Sequence, residues 1–420
     1  MKNKTSFRKA ILLMILIIPL AKRGYGLTLG FAGDIMAHEA VKKAAAFWDF
    51  AFMGQSLTHN GYDHFFITLH DLLKESDYNI GNLETPIAPL TGMLDPYIKQ
   101  FAPIFNASVF LVRALRRVGF THLTIANNHS FDQGIPAITE TYQNVVDSEV
   151  KVLGARTKEE LFGYEILEKK GVRVLLIAFS AVFNCIEHIY ELSSKAQRGS
   201  RLINILSTWA NPKKYPGFRM EKIAEEIQRL RKTLRIDKVV VTIHWGAEYQ
   251  QSPTREDSKI TRYLFENGVD SIIGHHPHVL SPLEFYRARD GRVCFVIYSI
   301  GNFLSAMGRA YHALTPNLDL GKTRDSIYLK IGFEGPPSPK LKGYLEQKGL
   351  YPGRLEDLPF RSLEIVPLWV VFEQAGSLPF LATVPVKSVD YWGSTAWRKN
   401  LQKRKGFFKQ LYPEVFLRQN

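Results

Sequence analysis

An α/β fold with an at least partly parallel sheet is what this sequence predicts, on three observations. Short apolar, β-rich runs recur between residues 27 and 303, amphipathic helical stretches lie between them, and each run ends abruptly in a polar cluster. Near-continuous apolar runs mark strands buried on both faces. Strands alternating with helices imply crossover connections and a parallel sheet. The 420 residues are 45% hydrophobic and 22% charged, globular usage that excludes a disordered chain or a coiled coil.

Taken in order, Leu27–Ala32 runs into Gly33-Asp34, Tyr78–Gly81 into Asn82-Leu83-Glu84, and His122–Ala126 into Asn127-Asn128-His129. Further on, Val239–Ile243 runs into His244-Trp245-Gly246, and Ser271–Ile273 into Gly274-His275-His276-Pro277-His278. Last, Phe295–Ile300 runs into Gly301-Asn302-Phe303. Between them, residues 219–235 place Ile223, Ile227, Leu230 and Leu234 on one helical face. Residues 62–75, 106–118, 134–147 and 256–267 read as helices too. Beyond Phe303, Ser326–Phe333 and Leu363–Phe372 read as strands joined by the loop Gly335-Pro336-Pro337-Ser338-Pro339. With no helix legible between them, they are expected to complete a second sheet against the first.

The formal charge of +14 is concentrated at the two ends. Residues 1–26 carry Lys2, Lys4, Arg8, Lys9, Lys22 and Arg23 and no acid; residues 397–420 carry seven basic residues and the single acid Glu414. The body between is nearly neutral, which argues against a nucleic-acid groove. In the first segment the apolar run Ala10–Ala21 is shorter than the roughly 20 residues that span a bilayer. With its basic flanks and Gly24 and Gly26 following, it reads as a signal peptide or an N-terminal membrane anchor. The rest is then extracytoplasmic: membrane-anchored, periplasmic or secreted. Residues 388–420, basic and aromatic (Trp392, Trp397, Phe407, Phe408), read as a tail whose helix packs on the body, a membrane surface being the alternative. Two cysteines, Cys185 and Cys294, exclude a disulfide framework and a cysteine-built zinc site; Cys294 sits in an apolar run as a buried thiol. The insertion 184–218, rich in Lys, Arg and Ser, reads as a surface loop able to overhang a site.

In a parallel sheet the carboxyl ends of the strands open on one edge, where ligands bind. The clusters would therefore bring Asp34, Glu84, Asn128, His244, His276 and His278 together. Carboxylates, imidazoles and a carboxamide form a mixed N/O set suited to Zn, Mn or Fe, one ion or two. If extended, His276-Pro277-His278 aims its imidazoles apart, toward two neighbouring cations that Glu84 bridges. Such a pair holds a hydroxide at neutral pH. His129 then protonates the leaving group, with Asp132 three residues on orienting its ring.

Gly33-Asp34-Ile35-Met36, Asn82-Leu83-Glu84, Asn127-Asn128-His129 with Asp132 and Gly134, His244-Trp245-Gly246 with Glu248-Tyr249, His276-Pro277-His278-Val279 and Gly301-Asn302-Phe303 stand in a telling order. Together they resemble the capsule-synthesis protein A (CapA) family, associated with poly-γ-glutamate capsule biosynthesis and similar to the calcineurin-like metallophosphoesterases. The resemblance runs from about residue 27 to 310 and more weakly to 387, so residues 27–387 are read as one CapA-like domain. It implies a four-layer α/β/β/α sandwich. It also implies Asp34 and His278 on one metal, Asn128, His244 and His276 on the other, Glu84 between them and His129 as proton donor. Asn82, Glu248, Tyr249 and Asn302 fall where they would touch substrate or support the ligands. The wider phosphoesterase pattern has Asp-x-His in its first motif, whereas this chain has Met36, with His38 further on, and Glu84 replaces the usual bridging Asp. One tight and one weak ion is an option these departures leave open.

The function expected is an extracytoplasmic metal-dependent hydrolase acting on an anionic polymer such as poly-γ-glutamate. The alternative is a non-catalytic, membrane-attached subunit that works with a membrane synthase. A third, weaker expectation is a plain phosphatase or nucleotidase.

Overall fold

A computed structural model describes residues 26–51, 60–90, 103–157, 159–184, 201–206, 219–308, 311, 317–375, 378–386 and 395–418. The segment 1–25, most of the insertion 184–218 with Cys185, and Trp392 lie outside them.

The apolar runs do form buried strands, but they divide between two sheets. In the first sheet β1 (Thr28–Ile35), β2 (Tyr78–Leu83), β3 (His122–Thr124) and β4 (Lys151–Leu153) lie side by side and parallel. On the other side of β1 follow β14 (Asp325–Gly332), β15 (Ser362–Ala375) and β16 (Leu378–Pro385), all antiparallel to their neighbours. The short β13 (Asn302–Leu304) runs parallel to the end of β1.

The second sheet comprises β6 (Tyr164–Lys169), β7 (Val172–Ser180), β9 (Lys238–His244), β10 (Ser271–His275), β11 (Leu283–Arg287) and β12 (Val293–Ile297). Its order is β11-β12-β10-β9-β7-β6, with four parallel inner strands and antiparallel edges. A small ribbon pairs β5 (Ala155–Arg156) with β8 (Leu202–Ile203).

Three apolar interfaces define the layers. Helices α1 (Glu39–Ala51), α3 (Val109–Val118) and α4 (Ile135–Asp147), with the single-turn α2 (His70–Leu73), pack Val41, Leu72, Leu111, Leu115 and Val145 on Ile35, Leu83 and Leu123 of the first sheet. Between the sheets, Leu29, Phe31 and Leu329 meet Val174, Leu176, Ile273 and Phe295. Outside the second sheet, α5 (Met220–Thr233) and α6 (Arg255–Glu266) set Ile223, Ile227, Leu230, Ile260 and Leu264 on Val239, Val241 and Ile272. Strand alternation sets Leu29 and Phe31 of β1 toward the middle layer and Ala32 toward the helices, and a register shift between Ala32 and Asp34 turns Ile35 to the helix side as well. The architecture is α/β/β/α, as the resemblance implied.

Three local expectations need correcting. Residues 62–75 are not one helix: a 3-10 turn, Gly61–Phe66, is closed by a capping box between Asn60 and Asp63, and only α2 follows. Ser326–Phe333 and Leu363–Phe372 do not complete a second sheet against the first. They extend the first, because β14 pairs directly with β1, Leu329 opposite Phe31. The proline cluster conceals α7 (Pro339–Gln347), with Ser338 as its N-cap and Pro339 in the first turn. There the missing N–H costs nothing and the fixed φ suits a helix.

Helix α8 (Thr395–Leu411) lies on the body, with Phe408, Tyr412 and Phe416 joining the core between the sheets. Buried Arg404 donates from Nε to Oδ1 of buried Asp325 at 2.6 Å and from Nη2 to Oδ2. Residues 416–418 add a bridge to β15: Ile365 N donates to Phe416 O (2.8 Å) and Arg418 N to Ile365 O (2.9 Å). Arg418 also binds Glu364 and Glu75, and Lys330 Nζ lies 2.8 Å from Glu75. Cys294 is a free, buried thiol, pushed up to about 12 by burial. Among the described residues no helix is long and apolar enough to cross a membrane.

Arg404→Leu is expected to destabilise the fold by about 3–5 kcal/mol in denaturant unfolding, because it strands the Asp325 charge, and Asp325→Leu in the same chain to recover most of the loss. Burial alone would raise the Glu75 carboxyl, but bonds from Arg418 and Lys330 hold it at about 2 against an ordinary 4.5. Its stabilisation is therefore complete above about pH 4.5 and lost as pH falls toward about 2. The Glu75→Gln penalty should accordingly shrink in unfolding series run from neutral to acid pH.

Candidate metal centre

Each sheet delivers its strand ends to a common rim. In the first, Asp34 near the end of β1 stands in register with Asn82 of β2 on one side and Asn302 of β13 on the other. A register shift between Ala32 and Asp34 re-aims the carboxylate. The approach of β13 is close: Asp34 N donates to Gly301 O at 3.0 Å, and a Cβ on Gly33 would collide with that carbonyl. In the second sheet, His244 ends β9 opposite His275, the last residue of β10. The turn after β10 is not extended: His276 has φ 97 and His278 φ 57, both left-handed. Their rings therefore lie 5.8 Å apart on one side of the site. Backbone in this region costs about 1–3 kcal/mol per residue and gathers at functional sites.

The donor atoms fall into two groups, Glu84–His276–His278 and Asp34–Glu84–His244, each with all its atoms within 4.8 Å of one another. Glu84 belongs to both. It is fully buried, and neither of its oxygens has a hydrogen-bond partner. Its Oε1 lies 3.6 Å from His244 Nε2, 3.7 Å from His278 Nε2 and 4.0 Å from His129 Nε2. Nδ1 of buried His276 likewise has no partner. A buried carboxylate without donors is costly unless a cation answers it, so this set fits a divalent ion of the Mn, Zn or Fe class.

The electrostatics agree. Burial, then the Asp34, Glu248 and Asp132 carboxylates, push Glu84 well above the ordinary range. Burial and His276 hold His244 well below its usual value, and burial and His278 bring His276 to about 3. Neutral imidazoles around a carboxyl pressed toward protonation form a set in which a cation would take the place of the proton. Burial would raise Asp34, but hydrogen bonds from His275 and His278 outweigh it and hold that carboxyl well below its ordinary value.

Carboxamides orient the ligands. Asn128 Oδ1 lies 2.8 Å from His244 Nε2. Asn82 Nδ2 donates to Asp34 Oδ1 (2.8 Å) and lies 3.2 Å from His244 Nδ1, while Asn127 Nδ2 donates to Asn82 Oδ1 (3.2 Å). Asn302 Oδ1 is 3.0 Å from His278 Nδ1. His129 Nδ1 lies 2.7 Å from Asp132 Oδ2, which also accepts from Phe105 N at 2.7 Å, and the Phe105 ring covers the imidazole at 4.3 Å. Burial raises the Asp132 carboxyl despite these bonds. Glu248 and Tyr249 are exposed at the mouth, with the Tyr249 ring 6.3 Å from His278. Met36 is buried, and His38 lies in neither donor group; its ring stands 5.0 Å from Phe105.

Two residues at the rim were not picked out from sequence. His275 Nδ1 lies 3.0 Å from Asp34 Oδ1, and Asn184 contacts Asn128. A signal for the second existed, since Val172–Ser180 is a further apolar run leading to the same edge.

A family model described as bacterial capsule synthesis protein PGA_cap matches residues 28–307, which contain all of these donors. The chain belongs to that family. It is similar to the capsule biosynthesis protein CapA of Bacillus anthracis, 28% identical over 284 residues, which are 67% of this chain and 60% of that protein. The PGA biosynthesis protein CapA of Bacillus subtilis (strain 168) is 27% identical over 299 residues, 67% of this chain and 64% of that protein. The matches thus span less than two thirds of these relatives. A crystal structure described as a putative 5'-nucleotidase from Staphylococcus aureus in complex with alpha-ketoglutarate has TM-score 0.40 and 14% identity, covering 90% of this chain and 58% of that one.

Saturating Mn²⁺ or Zn²⁺ is expected to stabilise chelator-treated protein in thermal melts, by about 2.7 kcal/mol at a hundredfold excess over Kd. Glu84→Gln should melt higher than wild type without metal, having lost a buried carboxyl that must otherwise carry an unanswered charge or take up a proton, and gain nothing when metal is added.

Proposed function

We propose that this chain is an extracytoplasmic, metal-dependent hydrolase that acts in the synthesis, release or modification of an anionic capsule polymer of the poly-γ-glutamate kind. The observation that carries the reading is the partnerless Glu84 carboxylate ringed by imidazoles, with the His129–Asp132 pair at its edge. Family membership supplies the polymer class.

Asp34, Glu84, Asn128, His244, His276 and His278 would hold one or two divalent cations. When bound, such a cation supplies Lewis acidity and brings the pKa of water toward about 7. The remaining work falls to the protein. Asp132 fixes the His129 ring through Nδ1 and leaves Nε2 facing Glu84 at 4.0 Å. A proton held at that Nε2 is in place for the leaving group. Asn82 and Asn302 keep Asp34 and His278 in position. Glu248 and Tyr249, exposed at the entrance, would meet the polymer. Residues 1–26 would carry the protein out of the cytoplasm or tether it to the membrane, beside a synthase.

Met36 favours a second reading. It lies buried at the position where the wider pattern has a histidine, so an ion on the Asp34 side has one ligand fewer. On that reading the chain is a membrane-attached subunit whose metal binds polymer carboxylates without turning them over.

Hydrolysis of a generic phosphodiester with Mn²⁺ separates the two. Wild type should be active, and His129→Ala slower by about 10²–10⁴-fold. Equal rates, or none in either protein, would falsify the catalytic reading, and metal-dependent polymer binding without turnover would establish the second.

A further inference from the structure

Strand β7 ends on the same rim as β9, with Ser180 in register with His244. Four residues later the chain reaches Asn184, which is half-buried. Its backbone N donates to Asn128 O at 3.3 Å, its Oδ1 accepts from Asn128 Nδ2 at 3.1 Å, and its Nδ2 lies 3.4 Å from His129 Nδ1. Asn184 thus touches both members of the Asn128-His129 pair from outside the donor set.

A carboxamide has two chemically opposite ends. Its oxygen can ligate a cation, and its NH₂ group, a donor only, repels one. Nothing in the shape of an asparagine decides which end faces a site; its hydrogen-bond partners do. Asn128 turns Oδ1 toward His244 Nε2 at 2.8 Å while its Nδ2 is taken by Asn184. A half-turn of the amide would set two carbonyl oxygens, those of Asn128 and Asn184, against each other and aim the NH₂ group at the centre.

We infer that Asn184 is a positioning residue that locks the Asn128 amide with its oxygen toward the metal centre. The inference rests on the metal reading of that centre. Supporting groups of this kind typically govern about 10–100-fold in metal affinity.

The test exploits symmetry. Aspartate presents an oxygen at either end, so in an Asn128→Asp protein there is no amide left to orient. Mn²⁺ binding to chelator-treated full-length protein is measured by titration calorimetry for wild type, Asn184→Ala, Asn128→Asp and the double variant, with Glu84→Gln as control. Asn184→Ala should weaken binding about 10–100-fold in the wild-type background and less than about threefold in the Asn128→Asp background. Equal losses in both backgrounds would mean a merely structural role and overturn the inference, as would no loss in either. Failure of wild type to bind Mn²⁺, or binding unaffected by Glu84→Gln, overturns the metal reading itself and the inference with it.

Discussion

The rest of the molecule is arranged around a carboxylate that the protein itself does not satisfy. Glu84 has been removed from water, and no N–H or O–H is offered to either oxygen. Three imidazole nitrogens stand 3.6–4.0 Å from its Oε1, too far for hydrogen bonds and well spaced to share an ion. Three carboxamides of the site donate elsewhere: Asn82 to Asp34, Asn127 to Asn82 and Asn128 to Asn184. Two other fully buried acids do have cations, Asp325 in Arg404 and Asp270 in Arg292. That contrast is what gives Glu84 the chemistry of a residue able to hold a cation.

Holding such a group requires a rigid frame, which explains the two sheets. Neither sheet alone carries the donors: Asp34, Glu84 and Asn128 come from the first, and His244, His276 and His278 from the second. The core between the sheets therefore sets distances within the site, and packing there reaches the chemistry. The small residues at the rim serve the same end. Gly33 lets β13 come near enough for Asn302 to reach His278, and the left-handed turn at His276 and His278 brings both rings to one side.

The site could be read from sequence because each donor follows a run of residues that has no place except inside a sheet. An apolar run says that a strand is covered on both faces, and the abrupt polar residues say where it reaches the edge. What such a run does not encode is its neighbour. Leu27–Ala32 and Val239–Ile243 look alike, yet they lie in different sheets, and Ser326–Phe333 pairs with β1 across some 300 intervening residues. Helix α7 was hidden because its prolines suit a first turn as well as a loop. His275 stood in plain view, but only the pairing of β10 with β9 and the approach of β1 reveal that it serves Asp34. Asn184 follows an apolar run with no cluster of ligand types, and its role exists only through the side chain it touches.

Residues 404–418 complete what the earlier strands leave open. Strand β16 covers β15 from Leu368 onward, and the stretch before it receives its partner from residues 416–418. Asp325, next to the Gly301–Ser326 bridge, gains Arg404 as its counter-ion. Until residues 404–418 dock, the folding chain holds an uncovered sheet edge and an unanswered interior charge. Exposed edges of that kind invite pairing with other molecules. Residues 404–418 thus close the β15 edge and answer the interior charge together, so a lesion in this one stretch would cost the fold at two places at once.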